Sequence, residues 1–220
     1  MENEKKTLKS SLGNFLSLMA DLILLNLLWI LCSIPIVTIG PSTCALFAVM
    51  LKVARDESSN TFGGFFKAFK VNFKSGLVLG LIALAAAFVL YVDITFALAQ
   101  SGTMRTVFLL SSGALLAVFL TYCTYVFALQ ARYENKLGLQ IKNAFLLSLC
   151  APGKTLLMWI IYAVPVAILL FVPLNIVAYF GFMYIMFAVS LPVYFNCKIL
   201  RNVFDKFVKP ENQESNDAEC

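Results

Sequence analysis

Apolar residues run along this chain in blocks of about twenty, separated by short segments that carry most of its lysines and arginines. A run of ~18 or more apolar residues reads as a membrane-spanning helix. On that pattern one span covers about Phe15–Ile34, and four later ones cover about Leu77–Leu98, Thr106–Gln130, Thr155–Leu174 and Ile176–Cys197. The stretch from Asn26 to Leu51, NLLWILCSIPIVTIGPSTCALFAVML, is different. It is almost wholly apolar yet holds Pro35, Gly40 and Pro41, and proline removes a backbone donor and clashes with the preceding turn. In hydrocarbon such a break is tolerated only where protein or a water-filled cavity satisfies the freed backbone groups. The chain is therefore expected to enter the membrane, break near Pro35–Pro41 and turn back.

The basic residues set the topology, because cytoplasmic loops are enriched in Lys and Arg. Lys5, Lys6 and Lys9 precede the first span, and Lys52, Arg55, Lys67, Lys70 and Lys74 follow the break. Arg132, Lys136, Lys142 and Lys154 fill a later loop, and Lys198, Arg201, Lys206 and Lys209 follow the last span. With the amino terminus inside, all of these clusters lie inside only if the chain crosses back between Pro35 and Lys52. The returning piece, roughly Ser42 to Arg55, is about 20 Å long as a helix against an apolar core of ~30 Å. Two readings stay open: a short, shielded sixth span whose Lys52 and Arg55 snorkel to the surface, or a re-entrant segment. Parity favours six spans with both termini cytoplasmic.

Two surface segments carry amphipathic patterning. In KVARDESSNTFGGFFKAFKVNFKSG, the rings of Phe62, Phe65, Phe66, Phe69 and Phe73 fall in a helical arc of roughly 100°, with Lys67, Lys70 and Lys74 beside it. That predicts a helix in the headgroup plane, rings in the acyl chains and lysines on anionic lipid, or equally a helix that docks a cytoplasmic partner. ARYENKLGLQIKNAFLLSLCAPGKT repeats the plan, from Arg132 and Glu134 through an amphipathic stretch to Lys154. The tail from Pro210 is short, polar and acidic, and is expected to be disordered, which leaves residues 1–209 as one integral membrane domain.

Composition sharpens this. The chain has 220 residues, 60% hydrophobic and 13% charged, with a mean hydropathy of +0.85, where soluble domains carry roughly 25% charged residues. The fold class expected is all-α, a polytopic bundle of about six spans. The net charge of +5 is then a topology signal rather than a nucleic-acid footprint. With no histidine, the commonest general base and metal ligand are both missing. The six cysteines form no CxxC or metal cluster. Cys32 and Cys44 flank the break, but buried free thiols are the simpler reading. No phosphate-binding loop, dinucleotide fingerprint or nucleophile elbow appears. The expectation is a protein with no catalytic residues, no cofactor and no metal.

Inside the spans the acids are Asp21 and Asp93, and intramembrane acids point to function by default. Asp21 lies about a third of the way in from the cytosol and Asp93 near the outer end of its helix, so they cannot form a paired site. Asp21, Asn26, Pro35, Gly40 and Pro41 are the candidate lining of a solute path at the broken hairpin. Phe65, Phe66, Lys67, Phe69, Lys70, Phe73 and Lys74 are the candidate surface for membrane or partner. Ser111-Ser112-Gly113 and the pairs Thr121-Tyr122 and Thr124-Tyr125 read as helix packing.

NLLWILCSIPIVTIGPSTCAL, then Lys52-x-x-Arg55-Asp56-Glu57, then FFKAFKVNFK and the later RYENKLGLQIKNAFLLSL resemble the YesL family of bacterial membrane proteins, a domain of unknown function. The resemblance runs from about Leu12 to Val208. It implies a multi-pass protein of the bacterial cytoplasmic membrane whose genes often stand beside carbohydrate uptake systems, including sugar ABC transporters. It transfers no activity and no site residues. Two functions follow: an accessory scaffold or regulator bound to carbohydrate ABC permease subunits, or a stand-alone small-solute transporter using the broken hairpin, alone or as a homo-oligomer.

Overall fold

A computed structural model describes residues 2–55, 57, 60–133, 137–171 and 173–207. The acidic tail from Pro210 and the residues Asp56 and Glu134 lie outside these. Among the described residues the regular structure is entirely helical. Helix α1 (Glu2–Cys32) leads through a 3-10 turn (Ile36–Thr38) into α2 (Ile39–Val53), and α3 (Thr61–Val71) and α4 (Phe73–Ala99) follow. Then come α5 (Gly102–Arg132), α6 (Leu137–Cys150), α7 (Pro152–Phe171), α8 (Leu174–Phe187) and α9 (Ser190–Phe207). Among the described residues, six segments are long and apolar enough to cross a membrane: Gly13–Cys32, Ile36–Val53, Phe73–Ala99, Gly102–Arg132, Pro152–Phe171 and Gly181–Lys206. This is an all-α, multi-pass architecture.

The shortest of the six is the centre of the molecule. Of α2, Cys44, Ala45, Leu46, Phe47, Val49 and Met50 are buried, and the helix packs against α1, α3, α4, α5 and α9. A segment only 15 residues long, about 22 Å, reaches less far than its neighbours and is sheathed by them. The outer faces of α4, α5 and α7 are by contrast lined with exposed Leu, Val, Ile and Phe, as a bilayer requires.

Close approach at this centre depends on glycine. Gly76 and Gly80, one turn apart on α4, face Gly40 and Pro41 on α2, with Gly80 Cα only 2.8 Å from where a Gly40 Cβ would stand. Such a Cβ would also sit 2.0 Å from the Gly76 carbonyl oxygen. Small residues four apart let membrane helices meet backbone to backbone. Tyrosines supply further ties: Tyr122 donates to the Leu79 carbonyl at 2.9 Å, and the Tyr125 hydroxyl meets that of Thr155 at 2.8 Å. The Thr121 and Thr124 hydroxyls turn back on their own helix, so both Thr-Tyr pairs serve packing.

The last span departs from the sequence expectation. Ile176–Cys197 is not one helix; α8 ends at Phe187, Ala188 and Val189 form a turn, and α9 starts at Ser190. Pro192 has no N–H to give the Ala188 carbonyl, and its ring crowds that group. The membrane domain thus contains two broken elements, at Pro35–Pro41 and at Ala188–Val189.

Candidate functional site

The first break is closed by its own side chains. Thr38 donates its hydroxyl to the Cys32 carbonyl (2.6 Å) or to that of Pro35 (2.7 Å), covering oxygens left over where α1 stops. Pro41 sits in the first turn of α2, where a missing N–H costs nothing. Trp29 on α1 donates its indole N–H to Thr43 on α2 at 3.1 Å. Pro35 is exposed, and Ile34, Ile36 and Val37 project beside it, while Gly40 and Pro41 are buried. Cys32 and Cys44 are both free thiols.

Asn26 binds the second break. Its side chain is fully buried. The amide donates from Nδ2 to the Ile185 carbonyl. Its Oδ1 accepts from the Val189 N–H at 3.3 Å and the Ser190 N–H at 3.1 Å. In an unbroken helix Val189 N–H would bond to Ile185 C=O. One asparagine on α1 therefore replaces the hydrogen bond that the break removes, satisfying donor and acceptor together. The signal was present in the sequence as Asn26 in one apolar run and Pro192 in another, but nothing in the chain ties the two together.

The acids are placed similarly. Asp21, half-buried on α1, accepts from the Thr61 hydroxyl at 2.6 Å, at the start of α3. Asn60 caps that same helix end, its Oδ1 accepting from the Gly63 N–H at 3.0 Å. A carboxylate beside a helix N-terminus is favourably placed. Asp93 on α4 accepts from Ser112 on α5 at 2.6 Å, joining two helices that turn sharply through Gly102 at a φ of 63°. The structure brings Asn26, Gly40 and Pro41 into the core around α2, leaves Pro35 at the surface, and holds Asp21 at the joint with α3.

Helix α3 corrects one expectation. Phe65 does not lie in acyl chains: it is fully buried in the protein core, stacked at 6.4 Å on Phe69 and edge-on at 5.8 Å to Phe66. Phe66 and Phe69 are partly buried against the same core. The ring arc is wide enough to face α1 and α2 on one side, which a helical wheel cannot distinguish from lipid. Phe62 remains exposed, as do Lys67 and Lys70. The expected arc does not continue as one helix, because α3 ends at Val71 and the exposed Phe73 and Lys74 open α4 beyond Asn72.

The ends of α2, α5 and α9 meet in a basic cluster. Arg55 Nη2 lies 2.8 Å and Arg132 Nη2 3.4 Å from the same oxygen, Oδ1 of Asp205. Arg201 donates to the Ala54 carbonyl at 2.9 Å, covering the C-terminal end of α2. The Arg132 guanidinium lies 5.3 Å from the ring centres of both Tyr133 and Phe204, within cation–π range. Burial pushes the Tyr133 phenol above its ordinary range, partly offset by Arg132 and Arg55. The sequence placed these arginines at a membrane surface but gave no pairing to Asp205.

Two of the cavities among the described helices are largely apolar. One, about 320 Å³, is lined by Trp29, Ile39, Thr43, Gly80, Tyr162 and Val189 among others, between the two breaks. The other, about 300 Å³, lies between Pro165 and Pro192. Among the described residues, no three Cys, Asp or Glu side chains converge as a metal would require.

These features define a polytopic helical membrane protein with a glycine-packed, doubly broken core. Comparison with known proteins gives its family. A family described as "Protein of unknown function, DUF624" matches residues 22–94, a segment that holds Asn26, the hairpin, α3 and most of α4. The chain is 31% identical over 153 residues, 68% of its length and 72% of the relative's, to the uncharacterized protein YesL of Bacillus subtilis (strain 168). It belongs to the YesL family. No solved structure matches it.

Proposed function

We propose that this protein is a non-enzymatic accessory subunit, a scaffold or regulator of a carbohydrate ABC uptake system. It would sit in a bacterial cytoplasmic membrane with both termini and the basic end of the bundle in the cytoplasm. The observation that supports this reading is the division of labour on α3. Phe65, Phe66 and Phe69 anchor the helix to the core, so Lys67 and Lys70 are carried on a fixed surface beside Phe62, and Phe73 and Lys74, the first residues of α4, extend it. Exposed aromatics flanked by fixed cations suit a protein partner with an acidic rim. The polar groups of the core also favour it: Asn26 is engaged by backbone, and Asp21 by Thr61. The link to carbohydrate uptake rests on the gene neighbourhood that the family resemblance implies.

A second reading is a stand-alone small-solute transporter, with Asp21, Asn26, Pro35, Gly40 and Pro41 along its path. The cavity of about 320 Å³ favours it by its place at Ile39 and Thr43, beside Gly40 and Pro41 on α2, although none of the five path residues lines it. Its apolar walls suit an apolar solute better than a sugar.

One extraction separates the two. Tagged protein is taken from native membranes in mild detergent, beside a variant with Lys67, Lys70 and Lys74 all changed to Gln. The accessory reading expects sugar-permease subunits with the unaltered protein and their loss from the variant. Protein that comes out alone, or only as a homo-oligomer, contradicts it and leaves the transporter reading, for which Asp21→Asn should lower flux in liposomes.

A further inference from the structure

We propose that Arg55 and Arg132 form a phosphate-group site at the basic end of the bundle, with Asp205 as the internal anion that a ligand displaces. This goes beyond the accessory role and does not rest on it.

Among the described residues the charges do not balance. Three guanidinium groups, from the ends of α2 and α5 and from α9, converge where, among the described residues, Asp205 is the facing carboxylate. Arg201 is engaged by the Ala54 carbonyl, which leaves Arg55 and Arg132 to share one oxygen of one monoanion. That oxygen serves them unequally, at 2.8 and 3.4 Å. Among the described residues the buried Nη1 atom of Arg132 has no hydrogen-bond partner, and a buried donor left unpaired on a charged group is costly. A guanidinium presents its donors in a planar fork suited to two acceptor oxygens at once. A phosphate group supplies three or more oxygens and up to two charges, enough to engage both forks and to reach Nη1.

The geometry also supplies rigidity and access. Tyr133 and Phe204, edge-on to each other at 6.1 Å, both lie 5.3 Å from the Arg132 guanidinium, so its fork is oriented before a ligand arrives. Asp205 is 53% exposed, so it can leave without unpacking the core. Arg201 masks the carbonyl end of α2, whose partial negative charge would otherwise repel an anion. Basic pockets between the ends of membrane helices suit phospholipid headgroups, and a free phosphate offers the same chemistry.

The test uses full-length protein in nanodiscs. In one arm, phosphatidylcholine discs are titrated with inorganic phosphate by calorimetry. In the other, retention of phosphatidylglycerol is measured by native mass spectrometry from mixed discs. Binding in the first arm assigns a free phosphate and in the second alone a lipid headgroup; either supports the site if the variants agree. Arg132→Gln should weaken binding by about tenfold or more, as loss of a charge-assisted hydrogen bond does. Asp205→Asn, which removes the competing charge and keeps an acceptor, should tighten it several-fold. Should Arg132→Gln fail to fold, Arg55→Gln carries the same expectation. No binding in either arm overturns the proposal. So does an arginine variant no weaker than Lys142→Gln, an exposed lysine on α6, or an Asp205→Asn variant that binds equally or less well.

Discussion

An asparagine in the apolar part of a membrane helix costs free energy unless its amide is paired on both sides. Asn26 is paired with the very backbone groups that the turn at Ala188–Val189 frees. Asn26→Ala would leave those groups bare and should destabilise the protein by roughly 1–3 kcal/mol. Amide exchange should accelerate at Val189 and Ser190 rather than uniformly. Unchanged protection at those two residues would show that the turn does not depend on Asn26. The polar character of Asn26 and Asp21 was legible in the sequence, and so was the fact that each needs a partner. The partners were not, because Thr61, Ile185 and Ser190 are up to 164 positions away and a hydrogen bond leaves no periodic trace. Arg132 and Asp205 were hidden for the same reason.

Among the elements, the spans were plain because about twenty apolar residues in a row have one stable solution in a bilayer. Pro35–Pro41 advertised its own break. The break near Pro192 did not stand out, since the apolar run continues across it and hydropathy does not register a lost hydrogen bond. Of the expected ring face, Phe62 to Phe69 lie on α3, but that helix ends at Val71 and Phe73 opens α4. Lipid and a protein core are equally apolar, so burial of Phe65 could not be seen from spacing either. The approach of α2 to α4 was encoded in Gly76-x-x-x-Gly80, a spacing that marks close helix contact but names no partner. Gly40→Ala tests that contact. Its Cβ would stand 2.0 Å from the Gly76 oxygen, so the helices must separate, at about 3 kcal/mol or more. Gly113→Ala, with nothing within 4 Å of the new Cβ, should leave thermal stability in detergent unchanged. Equal stability of the two variants would mean that α2 and α4 are not in backbone contact.

For the whole molecule, one short helix determines the rest. Because α2 returns through the bundle, Arg55 at its end reaches Asp205 on α9 and lies beside Arg132 on α5. The exposed Lys67 and Lys70 of α3 and Lys74 of α4 follow Arg55 along the chain before the next long apolar helix. Both the docking surface proposed for α3 and the phosphate site proposed for the arginines require that α2 cross the membrane rather than dip into it. Cysteine labelling decides this most directly. Single cysteines are introduced at Ile36, which is 64% exposed at the turn, and at Lys52, exposed near the end of α2, with accessible native cysteines replaced by serine. A membrane-impermeant thiol reagent applied to intact cells should label Ile36→Cys, and should reach Lys52→Cys only after permeabilisation. Labelling of both positions from the same side would contradict the six-crossing topology and, with it, the basic end.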